Sequence, residues 1–340
     1  MIPFIDGEEL RRHLPYPALI DALRNAFCEP IHAPRRHVHT ISEQETSTLL
    51  LMPVWQESKQ LGVKLVTVMP ENRSKGQPTV QALFILMDAS TGTPLALMDG
   101  EQLTLRRTAA ASALASGYLS RADSRHLLIV GTGQLAPQMA VAHSAVRPIQ
   151  TVTVWGRDAG KAHQMLETLR KAGIDPAVEL SVAVDLSVAA AQADIICCAT
   201  TSKEPLVKRS FVRPGTHIDL VGGFRPDMRE ADDALVANAR LFVDTFDGAL
   251  AEAGDLVQPM KAGHITREQV LAELKCLTSR RHPGRGRGRS SKDWRHRCRQ
   301  GTGQDRWSWQ GRRSQAGSQP SRSQRSCRED SRTRHQGSRS

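Results

Sequence analysis

The sequence predicts an α/β protein built on a doubly wound parallel sheet. Three observations predict it. Residues 127–130, Leu-Leu-Ile-Val, form a short apolar run of branched side chains, as in a strand buried on both faces. Gly131, Thr132 and Gly133 follow at once and lead through Gln134 and Leu135 to Ala136, a Gly-x-Gly-x-x-Ala turn opening into a helix. From there strand-like and helix-like segments alternate, the pattern of βαβ units.

The turn carries the first functional signal. Gly131 permits a tight turn, and Gly133 lets backbone approach a pyrophosphate with no Cβ in the way. Ala136 fits where helix and strand pack closely, and the helix N-terminus directs its amides and positive dipole end at phosphate. Placed between a strand and a helix, residues 131–136 read as a dinucleotide site of Rossmann type, against the alternative of a glycine turn in another α/β protein. The next strand, 151–155, ends at Gly156, Arg157 and Asp158. Gly156 and Arg157 stand where an acid would hold a ribose 2′-OH, and Arg pairs with a 2′-phosphate, so NADPH is expected over NADH. The alternative makes Arg157 a solvated turn residue and Asp158 a helix cap. Thr200 and Thr201 follow the fourth strand, at the carboxyl edge where nucleotide or substrate sits.

The remaining elements follow from periodicity. Residues 1–30 read as a helix, with Leu14, Ala18, Leu19, Ala22, Leu23 and Phe27 near helical spacing. Strands are expected at 36–40, 48–52, 62–69, 77–88 and 94–99, with a turn at 88–92. An Ala-rich helix follows at 104–119, its small residues suited to close packing. The nucleotide-binding part gives strand 127–130, helix 134–146, strand 151–155 and helix 158–172, then strands at 193–199, 217–221 and 241–244. Helices at 230–239 and 266–274 end the ordered part.

A chain of 340 residues accommodates about two domains. The organisation expected is a first domain at 1–120, a nucleotide-binding domain at 121–276 and a tail at 277–340. No run of ~18 apolar residues predicts a membrane span, and the N-terminus lacks a signal-peptide pattern. The six cysteines, Cys28, Cys197, Cys198, Cys276, Cys298 and Cys327, show no Cys-x-x-Cys and no metal spacing, which suits a reducing cytoplasm. Cys197 and Cys198 lie in an apolar run and are expected to pack; no metal site is expected, His37-x-His39 included.

The net charge of +11 describes the tail. Residues 277–340 hold 17 Arg and one Lys against four acids, +14, which leaves −3 for residues 1–276. The tail has no Ile, Val, Met, Phe or Tyr and a single Leu, so it cannot bury a core and is expected to be disordered. Its Arg, Gly, Ser and Gln bias favours out-of-frame translation of a GC-rich gene. A solvated appendage ranks next, and last an arm binding nucleic acid through Arg and Trp294, Trp307 and Trp309.

Over residues 10–275 the chain resembles the ornithine cyclodeaminase/mu-crystallin family. The resemblance rests on Leu61-Gly-Val-Lys-Leu-Val, Asp99-Gly-Glu-Gln-Leu-Thr-Leu-Arg-Arg-Thr-Ala-Ala-Ala-Ser, the Gly131 loop, Gly222-Gly-Phe-Arg-Pro-Asp-Met-Arg-Glu-Ala-Asp-Asp and Glu252-Ala-Gly-Asp. It implies a homodimer in which a Rossmann domain is inserted into a discontinuous α+β substrate and dimerisation domain. It also implies one of several activities: ornithine cyclodeamination, ketimine reduction or alanine dehydrogenation. Cyclodeaminases resemble one another in carrying an acid where this chain has Phe224, and Arg225-Pro-Asp-Met-Arg-Glu resembles the ketimine-reductase branch instead. Arg36 and Arg107 match the family's carboxylate-binding positions, and Lys64 its active-site lysine; Thr108 is a further substrate-binding candidate and Gly222 a cofactor-binding one. Arg suits a carboxylate by its bidentate fork, and a buried Lys of lowered pKa can give a proton to an imine nitrogen. Each has a bland alternative: a surface strand charge for Arg36, a strand-edge lysine for Lys64, a cap on the preceding loop for Arg107 and an ordinary first-turn threonine for Thr108. Family members end in an apolar segment that returns to the first domain, where this chain has its basic tail.

The expected function is NAD(P)H-dependent reduction of Δ1-pyrroline-2-carboxylate to L-proline and of Δ1-piperideine-2-carboxylate to L-pipecolate. A nucleotide-binding protein without turnover, left inactive by the missing segment, is the alternative from another class. Membrane and nucleic acid are not expected as partners.

Overall fold

The computed structural model describes residues 1–279 apart from 43, 45 and 46. The Arg-rich stretch from residue 280, with its expected disorder and candidate origins, lies outside the described residues. The N-terminal segment forms β1 (Phe4–Ile5), α1 (Gly7–His13) and α2 (Tyr16–Ala26) rather than one helix over 1–30. Asp6 caps α1 in a capping box with Glu9, and Pro15 caps α2, so the chain breaks twice where a single helical period suggested none. Four antiparallel strands follow: β2 (His37–Ser42), β3 (Ser47–Gln56), β4 (Gln60–Val68) and β5 (Val80–Asp88). With β6 (Pro94–Asp99), and with β1 pairing parallel to β6, they form a six-stranded sheet in the order β1-β6-β5-β4-β3-β2.

The helix α3 (Gly100–Leu119) starts four residues earlier than its apolar pattern predicts, because the Asp99 carboxylate accepts from Gln102 N at 2.9 Å and caps it. Gly100 is required at its start: a Cβ there would lie 2.7 Å from the backbone of Ala82 and Leu83 in β5. This helix packs on β4, β5 and β6 and also on the second sheet's β11 and α4, described next.

The second sheet is built from β7 (His126–Val130), α4 (Leu135–Ser144), β8 (Thr151–Trp155), α5 (Ala159–Lys171), β9 (Glu179–Val182), α6 (Leu186–Gln192), β10 (Ile195–Cys198) and β11 (His217–Leu220). Its order is β11-β10-β7-β8-β9, all parallel, so the winding reverses between β7 and β10. Each central strand feeds two cores. Leu127 and Ile129 with Ile195 and Cys197 pack against α2, α3, α4 and α5, while Leu128 and Val130 with Ile196 and Cys198 pack against α6 and the helices that follow. This two-sided burial is the physical content of the continuous apolar run. β9 was missed by the sequence reading because it is a four-residue edge strand with half-buried residues.

The chain closes with α7 (Asp233–Asn238), β12 (Leu241–Val243), α8 (Phe246–Glu252), α9 (Gly254–Lys261), β13 (Val270–Glu273) and α10 (Leu274–Thr278). The helix predicted over 266–274 is overturned. A 3₁₀ turn at Arg267–Gln269 leads into β13, which pairs parallel with β12. Val270 and Ala272 are buried while Leu271 and Glu273 are half-exposed, an alternation with period two that outweighs the apparent helical spacing. Leu277 and Thr278, assigned to the tail on composition, belong to α10, and Leu277 is buried in the core with Leu274. Among the described residues no helix is long and apolar enough to cross a membrane.

Candidate active site

Three cations far apart in sequence meet beside α3. Thr104, Arg107 and Thr108 share a face of that helix by their i, i+3 and i+4 spacing. Lys64, on β4, points at the same face, and its Nζ donates to Thr104 Oγ1 at 3.3 Å. The Thr104 hydroxyl in turn donates to the Gly100 carbonyl at 2.6 Å, and Thr108 Oγ1 to the Thr104 carbonyl at 2.6 Å. Burial, then the charges of Arg107 and Arg36, lower the Lys64 pKa to about 8. Arg36 sits just before β2 and is ion-paired with Glu252 at the end of α8. Arg107 keeps solvent access, yet protein crowds its guanidinium. Desolvation is the first cause of its lowered pKa, opposed by Asp244 after β12 and reinforced by Arg36. Its neighbour Arg106 has the structural role. Arg106 is buried, stacks 4.5 Å from the Tyr16 ring centroid and donates through Nε to the Leu14 carbonyl at 3.1 Å.

The glycine turn lies at the reversal between β7 and β10. Gly131 has φ 125°, and a Cβ there would fall 2.5 Å from the Ala199 carbonyl oxygen, so only glycine fits. At Gly133 a Cβ would meet nothing within 4 Å, which leaves open space above the turn. Thr132 lies against Gly156, where a Cβ would come 2.6 Å from its methyl carbon. Gln134 begins α4 without any side-chain cap, the Ala136 amide turns back to donate to the Gly133 carbonyl at 3.1 Å, and Ala136 is fully buried beneath the turn. The donor set and the open cradle fit a dinucleotide pyrophosphate. Arg157 is exposed, and Asp158 accepts from Lys161 N at 3.0 Å as the cap of α5. Thr201 is exposed, whereas Thr200 is engaged: its N–H and hydroxyl each donate to Glu230 Oε1 at 2.7 Å. Gly222 follows β11, and its N–H donates to Glu230 Oε2 at 2.7 Å. Phe224 stands exposed two residues on.

Several site residues escaped the sequence reading. Thr104 was legible as the residue three before Arg107 on one helix face. Glu252, Asp255 and Glu230 lie in motifs that were noticed without roles, and Asp244 carried no local signal. A further group, His143, Cys197 and Asp219, lies buried between α3, α4 and the sheet with ligand atoms within 4.8 Å of one another. Cys197 Sγ is 3.4 Å from His143 Nε2, and His143 Nδ1 is 2.9 Å from the Met139 carbonyl. Burial holds the Cys197 thiol well above its ordinary pKa, so it is the neutral thiol that packs there.

Comparison with known proteins places this geometry. The model of the ornithine cyclodeaminase/mu-crystallin family matches residues 7–291. A Δ1-pyrroline-2-carboxylate reductase of Paracoccus denitrificans is 42% identical over 249 residues, 73% of this chain and 76% of that protein. The enzyme of the same name from Colwellia psychrerythraea is 38% identical over 274 residues, covering 79% and 86%. The structure of Thermococcus litoralis Δ1-pyrroline-2-carboxylate reductase in complex with NADH and L-proline is 35% identical and superposes with a TM-score of 0.75 over 82% of this chain and 86% of that one. With its two sheets, its glycine turn and its Lys64 and Arg107 cleft, the chain belongs to the ornithine cyclodeaminase/mu-crystallin family.

Proposed function

We propose that this chain reduces cyclic ketimino acids with NAD(P)H, Δ1-pyrroline-2-carboxylate to L-proline and Δ1-piperideine-2-carboxylate to L-pipecolate. The observation that carries the proposal is Lys64 of β4 bonded to Thr104 on the face of α3 that also bears Arg107, with the charges of Arg107 and Arg36 helping burial to lower its pKa. Such a substrate presents a carboxylate beside its imine carbon. The two guanidiniums hold the carboxylate, with Thr108 at its flank, and bring the imine nitrogen to Lys64. A bound NAD(P)H supplies the hydride to the imine carbon. Lys64, protonated at neutral pH, gives the nitrogen its proton, so C=N becomes CH–NH with charge balanced. Glu252 and Asp244 offset part of the positive charge before substrate arrives.

The turn from Gly131 to Ala136, with Gly156, Arg157, Thr201 and Gly222 around it, is the proposed cofactor site. Thr200 contributes through its position, since its hydroxyl is held by Glu230. NADPH is the proposed cofactor, with NADH also accepted: Arg157 is exposed and unpaired among the described residues, while Asp158 is spent on capping α5. Residues 1–120 form the proposed substrate domain and 121–276 the nucleotide-binding domain. A homodimer is supported by the six-stranded sheet. Lys64 faces α3, so Leu51, Leu65 and Leu83, one step along in register, turn to the opposite face, as do Val63 and Ile85. Cys28, Cys197 and Cys198 form no disulfide with one another, which supports the cytoplasm as its place.

The test incubates purified protein with each ketimine and NADPH or NADH, and separately L-ornithine with NAD+. Reduced-cofactor consumption with L-proline or L-pipecolate formed, and no ammonia from ornithine, is the expected result. Ammonia release at a rate near that of imine reduction refutes the assignment that rests on Phe224.

A further inference from the structure

Glu230 is fully buried, and among the described residues no cation bonds its carboxylate. Its carboxylate instead takes three neutral donors at 2.7 Å: the N–H and hydroxyl of Thr200 on Oε1, and the N–H of Gly222 on Oε2. The backbone behind it is held as firmly. The Glu230 and Ala231 amides both donate to Asp255 Oδ1 at 2.8 Å, and Asp255 is itself 4% exposed at the start of α9. Glycine makes these approaches possible. A Cβ at Gly222 would lie 2.0 Å from the Thr200 carbonyl oxygen, at Gly223 2.3 Å from Asp255 Oδ2, and at Gly254 1.8 Å from the Met228 carbonyl oxygen. The Thr200 and Gly222 turns thus close on the Glu230 carboxylate, while Asp255 holds the backbone behind it.

A buried carboxylate without a counter-ion is costly. A core needing only packing is served by apolar side chains, and this carboxylate does something they cannot. It ties together the turns that leave the carboxyl ends of β10 and β11. Thr200 follows Ala199, whose carbonyl oxygen is the atom that confines Gly131. The grip of Glu230 therefore reaches the rim of the crevice between β7 and β10, where an open α/β sheet binds its ligand.

We propose that Glu230 is a positioning residue: by clamping the Thr200 and Gly222 turns it sets the rim of the cofactor crevice and so governs affinity for reduced nicotinamide. The proposal rests on the reading of that crevice as the NAD(P)H site. Burial raises the Glu230 pKa to about 7, with Asp255 adding to the rise and the Thr200 and Gly222 bonds opposing it. The other groups facing it are the Cys197 and Cys198 thiols of β10, both held protonated by burial; the neighbouring Arg229 acts on Asp255 and is committed to Asp233 and the Ala231 carbonyl. Protonation removes the charge that strengthens these three bonds and puts a proton on one of the accepting oxygens, so the clamp loosens as pH falls through about 7.

NADPH binding to the full chain, followed by its fluorescence with no imine present and with pH varied around neutrality, tests this. Wild type should bind NADPH and weaken on acidification. Glu230→Gln should bind about tenfold more weakly at neutral pH and lose the pH dependence, while a clamp with a merely structural role leaves the pH profile of the folded variant unchanged. Thr200→Val removes one donor to the carboxylate and should move the wild-type midpoint to higher pH; it carries the test if Glu230→Gln does not fold. Equal affinity and profile in wild type and Glu230→Gln, or an unmoved midpoint in Thr200→Val, overturns the proposal. Failure of the wild type to bind NADPH at all overturns instead the reading of the crevice.

Discussion

Lys64 and Arg107 lie in one cleft but owe their chemistry to different surroundings. Lys64 is half-buried between two guanidiniums, and its pKa of about 8 leaves it a proton donor at neutral pH. The rate of imine reduction should therefore fall as pH rises through about 8, and Lys64→Met should lower kcat by on the order of 10²-fold and abolish that alkaline limb. The same substitution should raise stability. Below about pH 8 the fold bears the whole cost of a charged lysine it has desolvated, and the cost disappears as pH climbs towards the ordinary value of 10.5. Thermal unfolding at neutral pH should show a gain of about 1–3 kcal/mol, discounted for partial exposure. Arg107→Ala should instead raise KM for the ketimine about tenfold or more with a smaller change in kcat, because a carboxylate loses its fork. Steady-state kinetics separates the two, and normal reduction by both variants contradicts the site. At this scale the sequence showed the charged residues and hid their partners. Arg106 and Arg107 are adjacent and identical in type, and only packing against Tyr16 makes one structural. Glu252 reaches Arg36 across 216 positions, a separation no local pattern reports.

Helix α3 is the element that makes the site. Its twenty residues extend ~30 Å, long enough to carry Thr104, Arg107 and Thr108 beside the first sheet and Ala109, Ala110 and Ala113 into the core of the second. Its Ala-rich composition was legible; its true start was not, since Asp99, which caps it, reads as the end of a strand. The strand at 270–273 was misread for a related reason, its partner β12 being distant in sequence. The start of α5 bears on cofactor choice. Asp158→Ala should cost about 1 kcal/mol in unfolding free energy by loss of the cap and leave NADH affinity unchanged. Arg157→Ala should leave stability unchanged and weaken NADPH about tenfold, the worth of one charge-assisted pair of ~1.5–3 kcal/mol. Equal loss of both cofactors in Arg157→Ala contradicts its pairing with a 2′-phosphate.

The whole molecule joins a largely antiparallel sheet, with Lys64 on it and Arg36 and Arg107 beside it, to a parallel sheet that bears the glycine turn, and the reaction needs both. The parallel sheet was legible because its strands are local and buried on both faces. The cleft was legible only through residues resembling a known family, because β4, α3 and the region from Asp244 to Glu252 converge from three parts of the chain. The described fold ends with Leu274 and Leu277 in the core. A chain ending at Ser279 should therefore bind NADPH within about twofold of the full chain, as every proposed cofactor contact precedes it, while Leu277→Ala should cost about 2–5 kcal/mol. A tenfold loss of binding in the shortened chain contradicts this placement of the site. The central claim is that the imine carbon of a ketimino acid meets the nicotinamide in this cleft. Its most direct test is reduction of Δ1-pyrroline-2-carboxylate with NADPH deuterated at C4 on the transferred face, each face tested in turn, and mass analysis of the product. The account predicts L-proline carrying one deuterium at C2 with one of the two labelled cofactors; L-proline unlabelled from both, or no L-proline, contradicts it.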